Sequence, residues 1–437
     1  MPGRLTIKAD WEHLDEGSPE ERACFAAIGI LWNETWLTEG RDSFVKVVRN
    51  APFLSGYHLA EWLAWNWWRL RWEPGSQDQG WAFAHRMSTI GGGYIWPNIT
   101  MFSDGQRSAI IAKPTLERAS TPYRYITDFA AVLAAGDFES TIDEFIETVR
   151  GRLRSEGIEE TNLDKHWADV TQERRDPDLT RFRKFEALLG CEADESNEAV
   201  LRKLFEDSQQ LGEEAMCEVA AHHDKGFGVL TAKNLREIAE HLGLDCSVRD
   251  AFRLRPDTRL PRVGDVAAWK LGTEAAQATR DQSRFRAGPI SDGELENLSG
   301  VGQHALDEPN DGSRIAFALD TNANQGRIVF RSKWKTGRRF ELARILGDRL
   351  LSRQNGPLFP ATRSHTYRQK FQRSFAAELL SPFEAVNDEL QGDYSDEAQQ
   401  DLADQYQVSP FTIRTLLVNH GCIDREVLDA DLEFAVV

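Results

Sequence analysis

The chain has 437 residues, and at roughly 100–200 residues per domain this length predicts two or three domains. Hydrophobic residues make up 41% of it and charged residues 28%, a composition that is typical of globular proteins and excludes an intrinsically disordered chain. No stretch approaches the roughly 18 consecutive apolar residues that a membrane helix needs. The net charge of −18 disfavours nucleic-acid binding by the whole surface, but it leaves a local basic patch open.

The cysteine pattern indicates the compartment. The five cysteines are scattered, odd in number and contain no Cys-x-x-Cys pair. Such a pattern favours reduced thiols in the cytoplasm and disfavours a thiolate zinc site. The first residues also lack the apolar core of a secretory signal. We therefore expect a cytoplasmic protein with no membrane association.

The region 1–135 is rich in tryptophan and is predicted to form a mixed α/β domain. Ten of the thirteen tryptophans precede residue 100, and five lie between Trp62 and Trp72. Their spacing favours a helix buried in a domain core, with stacking on nucleic-acid bases as the alternative. Two β-prone runs around Asp104-Gly105 predict a hairpin.

A helical connecting region is predicted for residues 136–260. The sequence from Thr141 to Glu144 has the pattern of a capping box, so we expect a helix to begin there. Apolar residues at helical spacing continue from Ile142 to Leu153. Further helical patterns, joined by polar linkers, follow to about residue 250.

The sequence pattern changes again in the third predicted domain, 261–437, which contains both helices and strands. The fold class predicted for the whole chain is therefore α+β. Its predicted elements, in chain order, are helices at 265–280 and 294–298, strands at 314–319 and 327–331, helices at 338–351 and from about 367 to 380, and a helix–turn–helix-like tail at 396–421.

Two motifs in this domain carry a resemblance to a known family. Residues 338–348 read RRFELARILGD, and residues 375–382 read FAAELLSP. Their order, after a strand hairpin and before a helix–turn–helix-like end, resembles the ImmA/IrrE zinc metallopeptidases, whose core reads RRFTLAHELGH and AxxFAAxLLMP. The resemblance covers about residues 261–422. It implies a zincin-like domain and, because members of the family act in bacterial stress responses and mobile-element control, a regulatory setting.

The zinc-binding residues of that family are replaced in this chain. Arg344 stands at the first histidine position, Ile345 at the glutamate, Asp348 at the second histidine, and Gln369 near the third ligand. An arginine is not a zinc ligand and an isoleucine cannot accept a proton. We therefore expect no metal, no cofactor and no catalytic residue. Because Arg344 and Asp348 are four residues apart on a helix, we predict that they form an ion pair, joined by Gln369.

The segment from Arg331 to Arg373 has a basic excess, with twelve Lys and Arg against two acids. These charges face either acidic groups of the protein itself or a phosphate-bearing ligand or nucleic acid. The candidate anion-binding residues are Lys333, Trp334, Lys335, Arg338, Arg339 and Arg349.

Three hypotheses follow. The first is a catalytically inactive ImmA/IrrE-like protein that binds a protein partner and regulates a bacterial stress, mobile-element or phage-defence system. The second is a nucleic-acid or nucleotide sensor that uses the basic segment. The third is a metallopeptidase with an atypical ligand set drawn from Asp348, His365 and Glu378. For the helix–turn–helix-like tail we favour a structural role over DNA binding.

Overall fold

The computed structural model describes residues 3–78, 80–116, 121–222, 228–285, 287–352 and 355–424. Its fold is α+β, with helices and small antiparallel sheets. It divides into two compact units, one up to Asn197 and one from Glu198 onward. This boundary falls inside the predicted connecting region, and the boundaries near 135 and 260 stay predictions. No helix in the described part of the chain is long and apolar enough to cross a membrane.

The first unit contains seven described helices and ten described strands. The helices are α1 (Pro19–Ala23), α2 (Gly56–Trp65), α3 (Trp67–Trp72), α4 (Trp81–His85), α5 (Ala135–Ser155), α6 (Asn162–Glu173) and α7 (Pro177–Leu188). The strands are β1 (Leu5–Trp11), β2 (Phe25–Trp32), β3 (Thr35–Trp36), β4 (Gly40–Asp42), β5 (Val47–Arg49), β6 (Phe53–Ser55), β7 (Ile99–Ser103), β8 (Arg107–Ala112), β9 (Tyr123–Tyr125) and β10 (Phe129–Ala134).

The tryptophan-rich segment packs in the core of this unit, as predicted. Trp62, Trp67 and Trp68 are buried, whereas Trp65 is 52% exposed. The segment forms two helices rather than one, because the chain turns at Asn66, whose side-chain amide donates to the carbonyl oxygen of Trp62 at 2.8 Å. The predicted hairpin is confirmed as β7 and β8.

The predicted capping box at Thr141 is wrong. Helix α5 begins at Ala135, six residues earlier, and the hydroxyl of Thr141 donates to the carbonyl oxygen of Asp137 at 2.9 Å inside the helix. The apolar stripe of α5, which includes Phe138 and Ile142, packs on the core of the first unit. This packing holds the residues before Thr141 in the helix and overrides the local capping pattern.

The second unit is built around one four-stranded sheet. Its helices are α8 (Glu198–Leu211), α9 (Glu213–Ala221), α10 (Ala232–Leu242), α11 (Ala268–Ser283), α12 (Asp292–Ser299), α13 (Lys335–Ser352), α14 (Tyr367–Leu380), α15 (Phe383–Leu390), α16 (Asp396–Tyr406) and α17 (Pro410–Asn419). Its strands are β11 (Leu244–Ser247), β12 (Ala316–Asp320), β13 (Gln325–Val329) and β14 (Leu358–Ala361), antiparallel in the order β11-β13-β12-β14.

Helices α11 and α13 both pack on α14, and a glycine permits each approach. A Cβ on Gly272 of α11 would lie 2.7 Å from the carbonyl oxygen of Phe371, and a Cβ on Gly347 of α13 would lie 2.6 Å from the ring of Phe375. A methyl group at either place would therefore push the helices apart. The glycines thus set how closely the side chains of α13 and α14 meet.

The elements predicted for this region are confirmed, with shifts of a few residues at their ends. The strand hairpin is β12 and β13, with Ala318 opposite Ile328. The tail forms two helices, α16 and α17, joined across a tight turn in which Ser409 caps α17. In α17, Arg414 donates to the carboxylate of Asp396 on α16. The positive charge of Arg414 is therefore paired with an acid of the tail itself.

Candidate functional site

The residues at the positions where the resemblance would place zinc ligands meet where α13 faces α14. Arg344 and Asp348 come from α13, and Arg368, Gln369 and Arg373 come from α14. The segment 362–366, between β14 and α14, closes one side, and α9 lies against it. Thr366 caps α14, since its hydroxyl accepts a hydrogen bond from the backbone N–H of Gln369 at 3.3 Å. We call Arg344, Arg368 and Arg373 the arginine cluster.

Arg344 is buried without a carboxylate partner. It is 7% exposed. Its Nη2 donates to the carbonyl oxygen of Thr362 at 2.7 Å, to Oε1 of Gln369, and to Oε1 of Gln372 at 3.3 Å. Among the described residues, no carboxylate lies within 4.0 Å of its guanidinium. Burial, and then the charge of Arg373, lower the pKa of Arg344.

The predicted ion pair between Arg344 and Asp348 is wrong. Asp348 is 1% exposed and accepts two parallel hydrogen bonds from Arg368, one from Nε and one from Nη2, each 2.7 Å long. A forked guanidinium that approaches both carboxylate oxygens gives the stronger geometry, and α14 supplies it. The predicted link to Gln369 does form, but it joins Gln369 to Arg344 alone.

A buried glutamate, which the sequence analysis missed, completes the site. Glu218 of α9 accepts hydrogen bonds from the hydroxyls of Thr366 at 2.6 Å and Ser364 at 3.3 Å. Burial raises the pKa of Glu218. It lies more than a hundred residues away in sequence from α13 and α14 and matches no motif. Arg368 and Arg373 were also missed, although residues 368, 369, 372 and 373 have the spacing of one helix face.

The side chains at this site do not fit a zinc ion. Both oxygens of Asp348 already accept from Arg368, and Arg344 places a fixed positive charge one turn away on the same helix. Zinc in peptidases needs three protein donors and an open position. Across the described residues there is no group of three or more His, Cys, Asp or Glu that could hold a metal.

The atypical ligand set that we considered is also spread apart. Glu378 lies ten residues beyond Arg368 on α14, about 15 Å along the helix axis. Its carboxylate accepts from the side chain of Gln277 at 3.1 Å and from the backbone of Phe383 at 3.2 Å. Burial, and then the charges of Arg373 and Lys370, lower the pKa of His365 to about 3.

Three of the candidate anion-binding residues are internal. Arg338, Arg339 and Arg349 are buried. Arg338 donates to the carbonyl oxygens of Leu306 and Glu308, both at 2.7 Å. Arg339 binds the carboxylate of Asp292 and the carbonyl oxygen of Ile290, and Arg349 binds the carboxylate of Asp320. A polyanion would have to displace these internal acceptors.

The other three candidates lie at the surface. Lys335 bridges Asp292 and Asp307, with both distances 2.6 Å. Lys333 is exposed, and Trp334 is 79% exposed. Arg353, which contributed to the predicted basic excess, lies outside the described residues. Among the six candidate residues, therefore, only Lys333 and Trp334 are exposed without a described ion pair.

Comparison with known proteins gives no further identification. No model of a protein family, no curated protein and no solved structure matches the chain. The ImmA/IrrE resemblance therefore rests on the order of the two motifs and their flanking elements.

Proposed function

We propose that the second unit is a catalytically inactive relative of the ImmA/IrrE peptidases that serves as a binding or regulatory module. The observation that carries this proposal is that three of the four positions where the resemblance would place zinc ligands and the general base hold a hydrogen-bonded network, and the fourth is apolar. Arg344 bonds to Gln369 and Thr362, and Asp348 is held by Arg368. Ile345, at the base position, is packed in the apolar core.

The electrostatics support this proposal. A zincin uses two histidines four residues apart, which face one metal, and a glutamate that takes a proton from the zinc-bound water. Here the guanidinium of Arg344 stands at the first ligand position. At the second ligand position, Asp348 is held in a salt bridge with Arg368. A divalent cation would meet repulsion from Arg344 and would have to compete with Arg368 for Asp348.

The biological setting follows from the resemblance alone. A regulatory role in a bacterial stress, mobile-element or phage-defence system, exerted through a protein partner, is an analogy of fold. The described contacts of the first unit, which has a tryptophan-rich core, do not identify the protein partner.

The nucleic-acid hypothesis has weaker support from the contacts. Arg338, Arg339 and Arg349 bind acceptors of the protein, and Lys335 bridges two carboxylates. Of the six candidate anion-binding residues this leaves Lys333 and Trp334, a narrow surface for a phosphate backbone, which usually needs a line of positive charges. This contact pattern favours internal charge compensation.

The proposal predicts no metal-dependent hydrolysis. The purified chain should cleave an unstructured protein substrate no faster than a buffer blank, with or without added zinc, because the described side chains at the site do not form the ligand set that holds a zinc-bound water. Mass spectrometry of the substrate over time measures this. Cleavage that requires zinc and disappears in Asp348→Asn, with the variant folded by circular dichroism, would support the metallopeptidase hypothesis instead.

A further inference from the structure

We infer that Arg344 and Arg373 form a binding site for the phosphoryl group of a small ligand. This inference rests on the proposed function and deepens it, because it names the class of ligand that the site takes in place of a metal.

Nearby carboxylates do not pair with these two arginines. Asp348 is engaged by Arg368, and Glu341 accepts from the backbone N–H groups of Arg331 and Ser332. Within the described chain, neither Arg344 nor Arg373 has a carboxylate within 4.0 Å. A buried guanidinium without a counter-charge is costly, so an anion that reached both would stabilise the folded protein.

The remaining acid near the pair is Glu218, which two hydroxyls already occupy. Ser364 and Thr366 donate to its carboxylate. Within the described chain Glu218 forms no ion pair with Arg373 and acts on it only as a more distant charge, so the compensation is partial.

The two guanidiniums also keep donors for a ligand. Among the described residues, Arg344 donates through Nη2 alone and its buried Nε has no hydrogen-bond partner. Within the same residues, Arg373 makes one hydrogen bond, from Nη2 to the carbonyl oxygen of Ser364 at 2.9 Å. Because these bonds end on Thr362 and Ser364, both side chains dock on the same short segment. Phosphate is an acceptor of such forked donors, and its double negative charge matches two arginines.

The surroundings of the pair are accessible and electropositive. Arg373 is partly exposed, and Arg363, between the two docking carbonyls, is exposed. Burial, and then the charge of Arg363, lower the pKa of His222 to about 4, while burial and the charge of Arg373 lower that of His365. The charges of Arg363 and Arg373 contribute to these two pKa shifts after burial, so this side of the site is electropositive and attracts anions.

The placement favours a small ligand over a nucleic-acid strand. Arg344 is 7% exposed, whereas Arg373 is partly exposed. A nucleic-acid backbone is usually bound along an exposed groove. A phosphoryl group on a small molecule, or free phosphate, can enter a site of this depth.

The test is isothermal titration calorimetry, in which inorganic phosphate is added to the purified chain at constant ionic strength. We expect saturable binding of one phosphate per chain and an affinity at least about tenfold weaker in Arg373→Gln, since one charged donor is removed. Arg373 is chosen because it is partly exposed, so that the variant is expected to fold. Lys333→Gln is the matched control, since it removes an exposed charge of the same basic segment, and its affinity should stay within about twofold.

The outcomes distinguish free phosphate from a phosphorylated metabolite as the ligand. They also distinguish a failure of this inference from a failure of the proposed function. Tighter binding of a nucleoside monophosphate than of phosphate would assign the site to a phosphorylated metabolite, and equal binding would assign it to the free ion. The inference is overturned if phosphate does not bind, if Lys333→Gln weakens binding as much as Arg373→Gln does, or if an oligonucleotide binds and phosphate does not compete. Absence of phosphate binding by a zinc-free protein would overturn this inference and leave the proposed function standing.

Discussion

Asp348→Ala is expected to lower the free energy of unfolding by about 3–5 kcal/mol, because it leaves the guanidinium of Arg368 buried without its partner. Both oxygens of Asp348 accept from Arg368, and the carboxylate is 1% exposed. Since folded domains are stable by only about 5–15 kcal/mol, this loss would be a large part of the total. Urea unfolding followed by circular dichroism measures it.

Two further variants show whether the effect belongs to the buried pair. Asp396→Ala removes an exposed carboxylate that pairs with Arg414 in the same unit, and its loss should be much smaller because water screens that pair. The double change Asp348→Leu with Arg368→Met removes both charges and should recover much of the stability. A double variant as unstable as Asp348→Ala would contradict the assigned pairing.

Arg339→Met is expected to lower the free energy of unfolding by about 1–3 kcal/mol, because the hydrogen bonds of a buried guanidinium are lost while Asp292 keeps Lys335 as a partner. Arg339 is fully buried and joins α13 to the start of α12 through the carboxylate of Asp292 and the carbonyl oxygen of Ile290. Removing the guanidinium leaves that carbonyl oxygen without this donor and weakens the contact between the two helices. The same unfolding experiment measures the loss.

Lys335→Met is the matched control, because Lys335 binds the same Asp292 but its side chain is 42% exposed. We expect a loss of about 0–1 kcal/mol. Burial alone would raise the pKa of Asp292, but the hydrogen bond from Lys335 and the charge of Arg339 together lower it. The contribution of Asp292 is therefore complete above the ordinary aspartate pKa and is lost as the pH falls through the lower folded value. Equal losses in the two variants would contradict the internal role of Arg339.

Periodicity in the sequence was enough to predict the elements that carry the site. Helices α13 and α14 and the β12–β13 hairpin each show a clear apolar pattern, and the structure has them within a few residues of the predicted bounds. The start of α5 was misplaced, because a local capping pattern at Thr141 competes with packing on a core that only the folded unit reveals.

The pairing of charges could not be predicted from local sequence. The basic segment was counted over residues 331–373, but the carboxylates that pair with Lys335, Arg339 and Arg349 lie outside that window, at Asp292, Asp307 and Asp320. Likewise, Asp348 had a neighbour at helical spacing in Arg344, yet Arg368 on another helix has the better geometry. Such contacts are set by how the elements pack.

The measurement that tests the central claim most directly is the zinc content of the chain, purified without chelator and without a histidine tag. Elemental analysis should find well below about 0.1 zinc ions per chain, because Arg344 and the Arg368–Asp348 pair fill the positions that zinc would need. Asp348→Ala should give the same low value. About one zinc ion per chain in the wild type, lost in Asp348→Ala, would contradict the proposal that the site has no metal.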